Sequence, residues 1–220
     1  MRFDHVIFDL DGTLLNTIDD LAAAGNFVCR ANGWPTFSTD QYRYKVGNGM
    51  PKLVERIIPA ELFGDARTFQ TAFSQFSGYY AQHSQDLTAP YEDILPMLGA
   101  LREAGTVLSV LTNKDHGAAT PLVAHYFGAD TFQLVQGRID AFPPKPEAPI
   151  TQHVLAQLNA DPARTLYVGD SNVDIETGHN AGLAACGVSW GFRGRVELEE
   201  AGADMVVDTP AELVDLVLHA

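Results

Sequence analysis

Short apolar runs rich in β-branched residues alternate along much of the chain with longer stretches of helical periodicity. The first run, residues 5–8, leads into Asp11-Gly12, which is typical of a buried strand entering a turn. Further strands are predicted at 106–111, 132–136, 165–168, 185–189 and 205–207. Helices are predicted at 94–103, 117–127, 149–158 and 174–181, and a last one starts at Pro210. This alternation predicts a doubly wound α/β class, in which helices cover both faces of a parallel sheet.

Residues 17–83 interrupt the alternation, because their patterns predict helices only, at 17–30, 38–46, 50–58 and 66–82. We therefore expect an α/β core formed by residues 1–16 and 84–220, and an inserted all-helical cap domain formed by residues 17–83. An insert directly after the first strand is placed to act as a lid over the site that this strand forms.

The net charge and composition of the chain limit the classes of partner that can be expected. Acidic residues number 28 against 14 basic ones, giving a net charge of −14. A surface this negative repels phosphate backbones and anionic lipid, so nucleic acid and membranes are not expected as partners. Cys29 and Cys186 form no CxxC pattern, no apolar stretch could span a membrane and the first residues do not resemble a signal peptide. A reducing cytoplasm is the expected location, and the sequence does not indicate an oligomeric state.

Polar side chains cluster just beyond the carboxyl ends of the predicted strands, where ligands bind in open α/β sheets. They are Asp9, Asp11, Thr112, Asn113, Lys145, Asp170 and Asp174. Taken singly, each has an ordinary structural explanation, such as a turn aspartate or a solvated loop lysine. Their shared position at the strand ends is what indicates a functional site.

Four carboxylates in one crevice repel each other unless a cation lies among them. Hard oxygen ligands suit Mg²⁺, and the sequence has no Cys/His cluster that would suit zinc. Lysine and threonine would complement a phosphoryl group, whose transfer depends mainly on positioning and charge neutralisation. Asp9 and Asp11, two residues apart, could divide the roles of nucleophile and acid/base.

Four segments together resemble the motifs of the haloacid dehalogenase superfamily, in matching order over nearly the whole chain. They are DLDGTL at 9–14, LTN at 111–113, Lys145 within PPKP, and GDSNVD at 169–174. The resemblance implies a Rossmann-type core and phosphatase or mutase chemistry, since dehalogenases lack the acid at position 11. Its implied cofactor is Mg²⁺, and its implied partner is a small phosphorylated metabolite.

The resemblance also implies residue roles. Asp9 would be the nucleophile and a metal ligand, and Asp11 the general acid/base, with its backbone carbonyl on the metal. Asp170 would bind the metal directly and Asp174 through water. The phosphoryl group would be bound by Gly12, Thr112, Asn113 and Lys145.

Within the insert, the segment VGNG at 46–49 resembles the cap loop of phosphoglycolate phosphatases. By that resemblance Gly47, Asn48 and Gly49 would contribute to substrate specificity, and 2-phosphoglycolate is the expected substrate. The reaction would pass through a phospho-aspartyl intermediate on Asp9.

Three alternatives stay open at the level of the sequence. A β-phosphoglucomutase-type phosphotransferase shares the core motifs and would release an isomer instead of free phosphate. A receiver-like signalling switch also combines aspartates, threonine, lysine and Mg²⁺, but its phosphorylated aspartate follows the third strand. A binding protein that kept the scaffold without activity would fail a generic phosphatase assay.

Overall fold

The structure, a computed structural model, describes residues 3–219. Its strands are β1 (His5–Phe8), β2 (Leu15–Asn16), β3 (Ala89–Pro90), β4 (Val107–Asp115), β5 (Leu134–Arg138), β6 (Thr165–Gly169), β7 (Ala184–Val188) and β8 (Met205–Val207). Its α-helices are α1 (Ile18–Ala31), α2 (Thr39–Arg43), α3 (Met50–Ile57), α4 (Ala66–His83), α5 (Ile94–Glu103), α6 (His116–Phe127), α7 (Ala148–Leu158), α8 (Asn172–Asn180), α9 (Arg195–Glu200) and α10 (Pro210–His219). Short 3-10 turns occupy Ala60–Leu62 and Pro162–Arg164.

The core contains one parallel sheet with the strand order β5-β4-β1-β6-β7-β8. β1 lies at its centre, with His5 aligned to Val107 on β4 and to Thr165 on β6. The direction in which successive strands are added reverses at β1, and crevices at such reversals bind ligands beyond the carboxyl ends of the strands. The predicted doubly wound α/β class is therefore confirmed.

β1 illustrates why these residues form a sheet covered on both faces. Val6, Ile7 and Phe8 have no exposed surface, so neither face of the strand meets water. Val6 and Phe8 point to one side and pack in a cluster that includes residues of α5, α6 and α10. Ile7 points to the other side, where it packs with residues of α7 and with Tyr167 of β6. The short apolar run thus fixes the central position of the strand.

Residues 17–89 form a separate compact unit that contains α1 to α4. Within it, α1 packs against α2, α3 and α4. A β-carbon at Gly25 of α1 would lie 2.3 Å from the hydroxyl oxygen of buried Tyr42, so glycine is required for this close approach. The Tyr42 hydroxyl donates a hydrogen bond to Asn26 Oδ1 at 3.2 Å. The Tyr42 side chain therefore joins α2 to α1 through a close contact and a hydrogen bond.

The helical unit ends at Ala89, beyond the predicted end at residue 83. Buried Asp20 of α1 explains the difference. Its carboxylate accepts hydrogen bonds from Leu87 N at 3.0 Å, from Thr88 N at 2.9 Å and from Thr88 Oγ1 at 2.7 Å. These bonds tie residues 87 and 88 to α1, a contact between distant parts of the sequence that local periodicity does not reveal.

The elements mostly follow the predicted pattern, with two informative differences. β4 continues to Asp115, past the predicted end at residue 111, and its pairing with β5 shifts register between Leu111 and Asp115. α9 has no counterpart among the predicted elements, because its six residues are too few to show helical periodicity. Among the helices within residues 3–219, none combines the length and apolar character that crossing a membrane requires.

Candidate active site

The polar residues singled out in the sequence lie around the carboxyl ends of β4, β1 and β6. Phe8, the last residue of β1, is aligned with Val110 on β4 and Val168 on β6. Asp9 continues the strand direction, and its N–H donates to Val168 O at 2.9 Å. Asp170 directly follows β6. Sheet register therefore brings together residues that are more than a hundred positions apart in the sequence.

Three buried carboxylates form the centre of the site. One oxygen each from Asp9, Asp170 and Asp174 lies within 4.8 Å of the others. Their exposed fractions are 8%, 2% and 1%, so water screens their mutual repulsion poorly. A group of acidic oxygens this close is suited to a hard divalent cation.

Lys145 supplies positive charge to the same cluster. Its ammonium lies 2.9 Å from Asp9 Oδ1 and 2.8 Å from Asp174 Oδ1. It also donates to the Tyr167 hydroxyl at 2.9 Å, and that hydroxyl donates to Leu111 O at 3.1 Å. Burial alone would lower the pKa of Lys145, but attraction to Asp174 and Asp9 outweighs it and raises the pKa well above its ordinary value. Lys145 is therefore a permanent cation in this site.

One ammonium does not offset three carboxylates. Burial raises the pKa of Asp9 from its ordinary value of 3.8 to about 7; Lys145 opposes the shift, whereas Asp174 and Asp11 add to it. Burial, together with repulsion from Asp174 and Asp9, also raises the pKa of Asp170 well above its ordinary range. A bound cation would offset this surplus of negative charge.

Asp170 is held in place from several sides. Its Oδ2 accepts the Phe192 N–H at 2.7 Å, and its Oδ1 accepts the Thr13 hydroxyl at 3.3 Å. A β-carbon at Gly12 would lie 2.4 Å from Asp170 Oδ2, and one at Gly191 would lie 2.2 Å from Asp170 Cβ. Both glycines are therefore required where the loops after β1 and β7 close on this carboxylate.

Asp174 uses both of its oxygens in protein contacts. Oδ1 pairs with Lys145, as described above, while Oδ2 accepts from Ser171 N at 3.1 Å and from Ser171 Oγ at 2.7 Å. The bond from Ser171 N is part of a capping box at the start of α8, so the same carboxylate also fixes that helix. This arrangement is compatible with the expected water-mediated contact of Asp174 with a metal.

The end of β4 supplies three further side chains. The Thr112 hydroxyl accepts from Lys114 N at 3.2 Å. The Asn113 side chain donates to Lys145 O at 3.1 Å and accepts from Lys145 N at 2.9 Å, so it positions the loop that carries the lysine. Lys114 pairs with both carboxylate oxygens of Asp11, at 2.9 Å and 3.1 Å. Asp11 is thus paired with a lysine of its own, although it still repels Asp9 of the three-carboxylate cluster.

The sequence did not indicate several of these groups. Tyr167 has the strand pattern of a core residue, and the Phe192 contact comes from a backbone N–H that no side-chain motif reports. Lys114 directly follows the second motif, which was the only available signal for it. Thr13 and Ser171 lie inside the first and fourth motifs, and their contacts show what these motif positions do.

The expected specificity residues Gly47, Asn48 and Gly49 belong to the helical unit. Asn48 Oδ1 accepts from Arg56 Nη2 at 2.7 Å, and Arg56 Nη1 donates to Lys45 O at 2.8 Å. Gly47 and Gly49 have φ angles of 103° and 83°, which residues with side chains rarely adopt. Arg56 and the two glycines therefore define the shape of this loop within its unit.

Comparison with known proteins assigns the chain to a family. The family model described as haloacid dehalogenase-like hydrolase matches residues 6–188. The phosphoglycolate phosphatase of Vibrio vulnificus is 34% identical over 97% of this chain and 95% of its own length. The N-acetylmuramic acid 6-phosphate phosphatase of Pseudomonas aeruginosa is 31% identical over 100% of this chain and 97% of its own length. The crystal structure of a protein from Lactobacillus delbrueckii subsp. bulgaricus aligns with 100% of this chain and over 100% of its own chain, with a TM-score of 0.94 and 28% sequence identity.

The chain belongs to the haloacid dehalogenase-like hydrolases. Within that family it is a phosphatase, a phosphoric monoester hydrolase similar to phosphoglycolate phosphatases. The resemblance inferred from the four motifs is thereby confirmed. The inactive binding protein and the receiver-like switch considered from the sequence are no longer the best explanations of the site.

The crowding around Asp170 leads to a prediction about Gly191. Gly191→Ala adds a methyl group that overlaps Asp170 Cβ, so the carboxylate must shift, and we expect phosphatase activity to fall by about 100-fold. The measurement is turnover of p-nitrophenyl phosphate. Gly99→Ala is the control, because a β-carbon at this position of α5 meets nothing within 4 Å. Equal activity of the two variants would show that the position of Asp170 does not matter.

Proposed function

We propose that this protein is a Mg²⁺-dependent phosphatase that hydrolyses a small phosphomonoester through a phospho-aspartyl intermediate on Asp9. The observation that carries the proposal is the position of Asp9 between one buried ammonium and two further buried carboxylates. An aspartate in that position can be oriented toward phosphorus, while Lys145 on one side and a cation held by the carboxylates on the other would offset its charge and that of the substrate.

The donor set fits Mg²⁺, because carboxylate oxygens cluster within 4.8 Å and carry more negative charge than Lys145 offsets. Asp9, Asp170 and the backbone carbonyl of Asp11 would hold the ion directly, and Asp174 would hold it through water. When bound, the ion supplies positive charge for the phosphate oxygens and for the developing charge of the reaction.

The protein residues divide the chemistry into two displacements at phosphorus. In the first, a carboxylate oxygen of Asp9 bonds to phosphorus, the bond to the ester oxygen breaks, and Asp11 donates the proton that the leaving oxygen takes up. In the second, Asp11 accepts a proton from water, the water oxygen bonds to phosphorus, and the bond to Asp9 breaks. Free phosphate leaves and both aspartates return to their initial states.

Binding of the phosphoryl group would fall to Lys145, Thr112, Asn113 and Gly12. Lys145 is the strongest candidate, because its attraction to Asp174 and Asp9 holds it in the charged form although it is almost fully buried. Asn113 supports this role indirectly through its two bonds to the Lys145 backbone. Gly12, with a φ of 94°, permits the close approach of the loop after β1 to Asp170.

For the substrate we propose 2-phosphoglycolate, supported by the loop at 46–49 and by the name of the Vibrio vulnificus relative. N-acetylmuramic acid 6-phosphate is the second candidate, because the Pseudomonas aeruginosa relative is almost as similar. A β-phosphoglucomutase-type transfer is the alternative reaction.

A panel assay tests the substrate. With Mg²⁺ present, kcat/KM for 2-phosphoglycolate should exceed that for N-acetylmuramic acid 6-phosphate, glucose 1-phosphate and glycerol phosphate by at least about tenfold, a margin of only about 1.4 kcal/mol of binding. Phosphate release and isomer formation are measured together. A higher kcat/KM for N-acetylmuramic acid 6-phosphate would make that compound the substrate. Formation of an isomer without free phosphate would indicate a mutase.

The proposed nucleophile gives a sharp prediction. Asp9→Asn keeps the size of the side chain but removes the nucleophilic carboxylate, so turnover should fall by at least about 1,000-fold. Phosphate release is the measurement, and circular dichroism checks that the fold is kept. Asp130→Asn, at an exposed aspartate of the same unit, should leave turnover near the wild-type value. Full activity of Asp9→Asn would exclude the phospho-aspartyl mechanism.

The raised pKa of Asp9 predicts how stability depends on pH and metal. Without metal, the folded state keeps a proton that the unfolded state loses, so stability should fall as pH rises from about 3.8 to about 7. Mg²⁺ competes with that proton, so it should raise the melting temperature more at pH 8 than at pH 5. Thermal unfolding with Mg²⁺ and with EDTA measures both effects. An equal shift at the two pH values would place the ion elsewhere.

A further inference from the structure

The site contains a second buried lysine that the proposed mechanism does not use. Lys114 Nζ lies 2.9 Å from Asp11 Oδ1 and 3.1 Å from Asp11 Oδ2. The exposed side-chain fractions are 5% for Lys114 and 20% for Asp11. Burying a lysine this fully costs free energy unless a charged partner lies at close range, and Asp11 is that partner.

A bulge at the end of β4 places Lys114. Leu111 is aligned with Gln136 of β5 and Asp115 with Arg138, so four steps along β4 match two steps along β5. The additional residues leave the regular alternation of the strand, and bulges of this kind redirect side chains near functional sites. Here Asn113 reaches the Lys145 backbone while Lys114 reaches Asp11.

The two buried lysines therefore have separate targets. Lys145 contacts Asp9, the proposed nucleophile, and Asp174. Lys114 contacts both oxygens of the carboxylate to which the proposed function assigns proton transfer. An ammonium bonded to both oxygens restricts rotation of that carboxyl group, and each oxygen still has a second lone pair that can carry the proton given to a leaving group or taken from a water.

We infer that Lys114 is a positioning residue that orients the Asp11 carboxylate for proton transfer to the leaving group and from the attacking water. This inference rests on the proposed function, in which Asp11 is the acid/base. In this role Lys114 acts through Asp11 and does not itself bond to phosphorus, to the metal or to the phosphoryl oxygens.

The rate of phospho-enzyme formation with different leaving groups distinguishes a positioning role of Lys114 from a purely structural one. Alkyl phosphates need a proton at the leaving oxygen, whereas p-nitrophenyl phosphate releases a stable anion without one. In Lys114→Met, formation of the phospho-enzyme from an alkyl phosphate should slow by about 100-fold. With p-nitrophenyl phosphate the variant should keep a rapid burst of nitrophenolate followed by slow turnover, because only the second displacement still requires Asp11.

Rapid-quench kinetics on both substrates provides the measurement, with thermal unfolding as the check on folding. Arg138→Met is the matched control, since it removes a cation from the end of the neighbouring strand and should leave the ratio of the two substrates unchanged. Lys114→Arg, which can bond to both oxygens, should recover part of the alkyl phosphate rate. If Lys114→Met does not fold, Lys114→Gln replaces it as the variant that lacks the charge.

A double-mutant cycle tests whether Lys114 acts through Asp11. In an Asp11→Asn background, Lys114→Met should lower the alkyl phosphate rate by less than about threefold, because the group that it positions is already gone. Equal slowing of the first step on both substrates, or additive losses in the cycle, would overturn the inference while leaving the phosphatase assignment intact. An inactive wild type, or a fully active Asp9→Asn, would instead overturn the proposed function.

Discussion

Repulsion among buried carboxylates is the constraint on which the rest of the site depends. Asp9, Asp170 and Asp174 meet within 4.8 Å where water cannot screen them, and Lys145 offsets only part of their charge. The arrangement is costly for a folded protein with nothing bound and becomes favourable when further positive charge enters. In the proposed function, this cost is recovered when a cation, and with it a phosphate dianion, binds to the site.

The surrounding fold keeps this unfavourable arrangement in place. β1 carries Asp9 at the centre of the sheet, with its apolar residues buried on both faces. Asp174 is fixed by the start of α8, and Asp170 by backbone groups and by the glycines around it. None of these supports can relax without loss of core packing or helix capping. Rigidity of the scaffold thus substitutes for the solvent reorganisation that the reaction would need in water.

Much of this arrangement could be predicted from the sequence, because it follows from strand order. Asp9, Asp170 and Lys145 follow predicted strands, and the carboxyl ends of parallel strands share one edge of the sheet. The position of the Lys114 side chain could not be predicted, because it depends on a bulge in β4. The alternation of apolar and polar residues in a sequence does not show where a strand bulges. The contact of Tyr167 with Lys145 could not be predicted, because the residue lies in an apolar strand pattern typical of the core. The limit of the helical unit depends on Asp20, whose partners lie far away in the chain.

The confinement of Asp170 has a consequence for the proposed metal site. Two bonds hold its oxygens, and the space beside it is already filled to the point where Gly12 and Gly191 cannot carry a β-carbon. Calcium requires longer bonds and more ligands than magnesium, so it would need this carboxylate to move outward or rotate into a bidentate position. The backbone at Gly12 and Gly191 opposes movement of this carboxylate toward either loop. Close backbone packing around Asp170 would thereby favour Mg²⁺ over the larger Ca²⁺ in the proposed site.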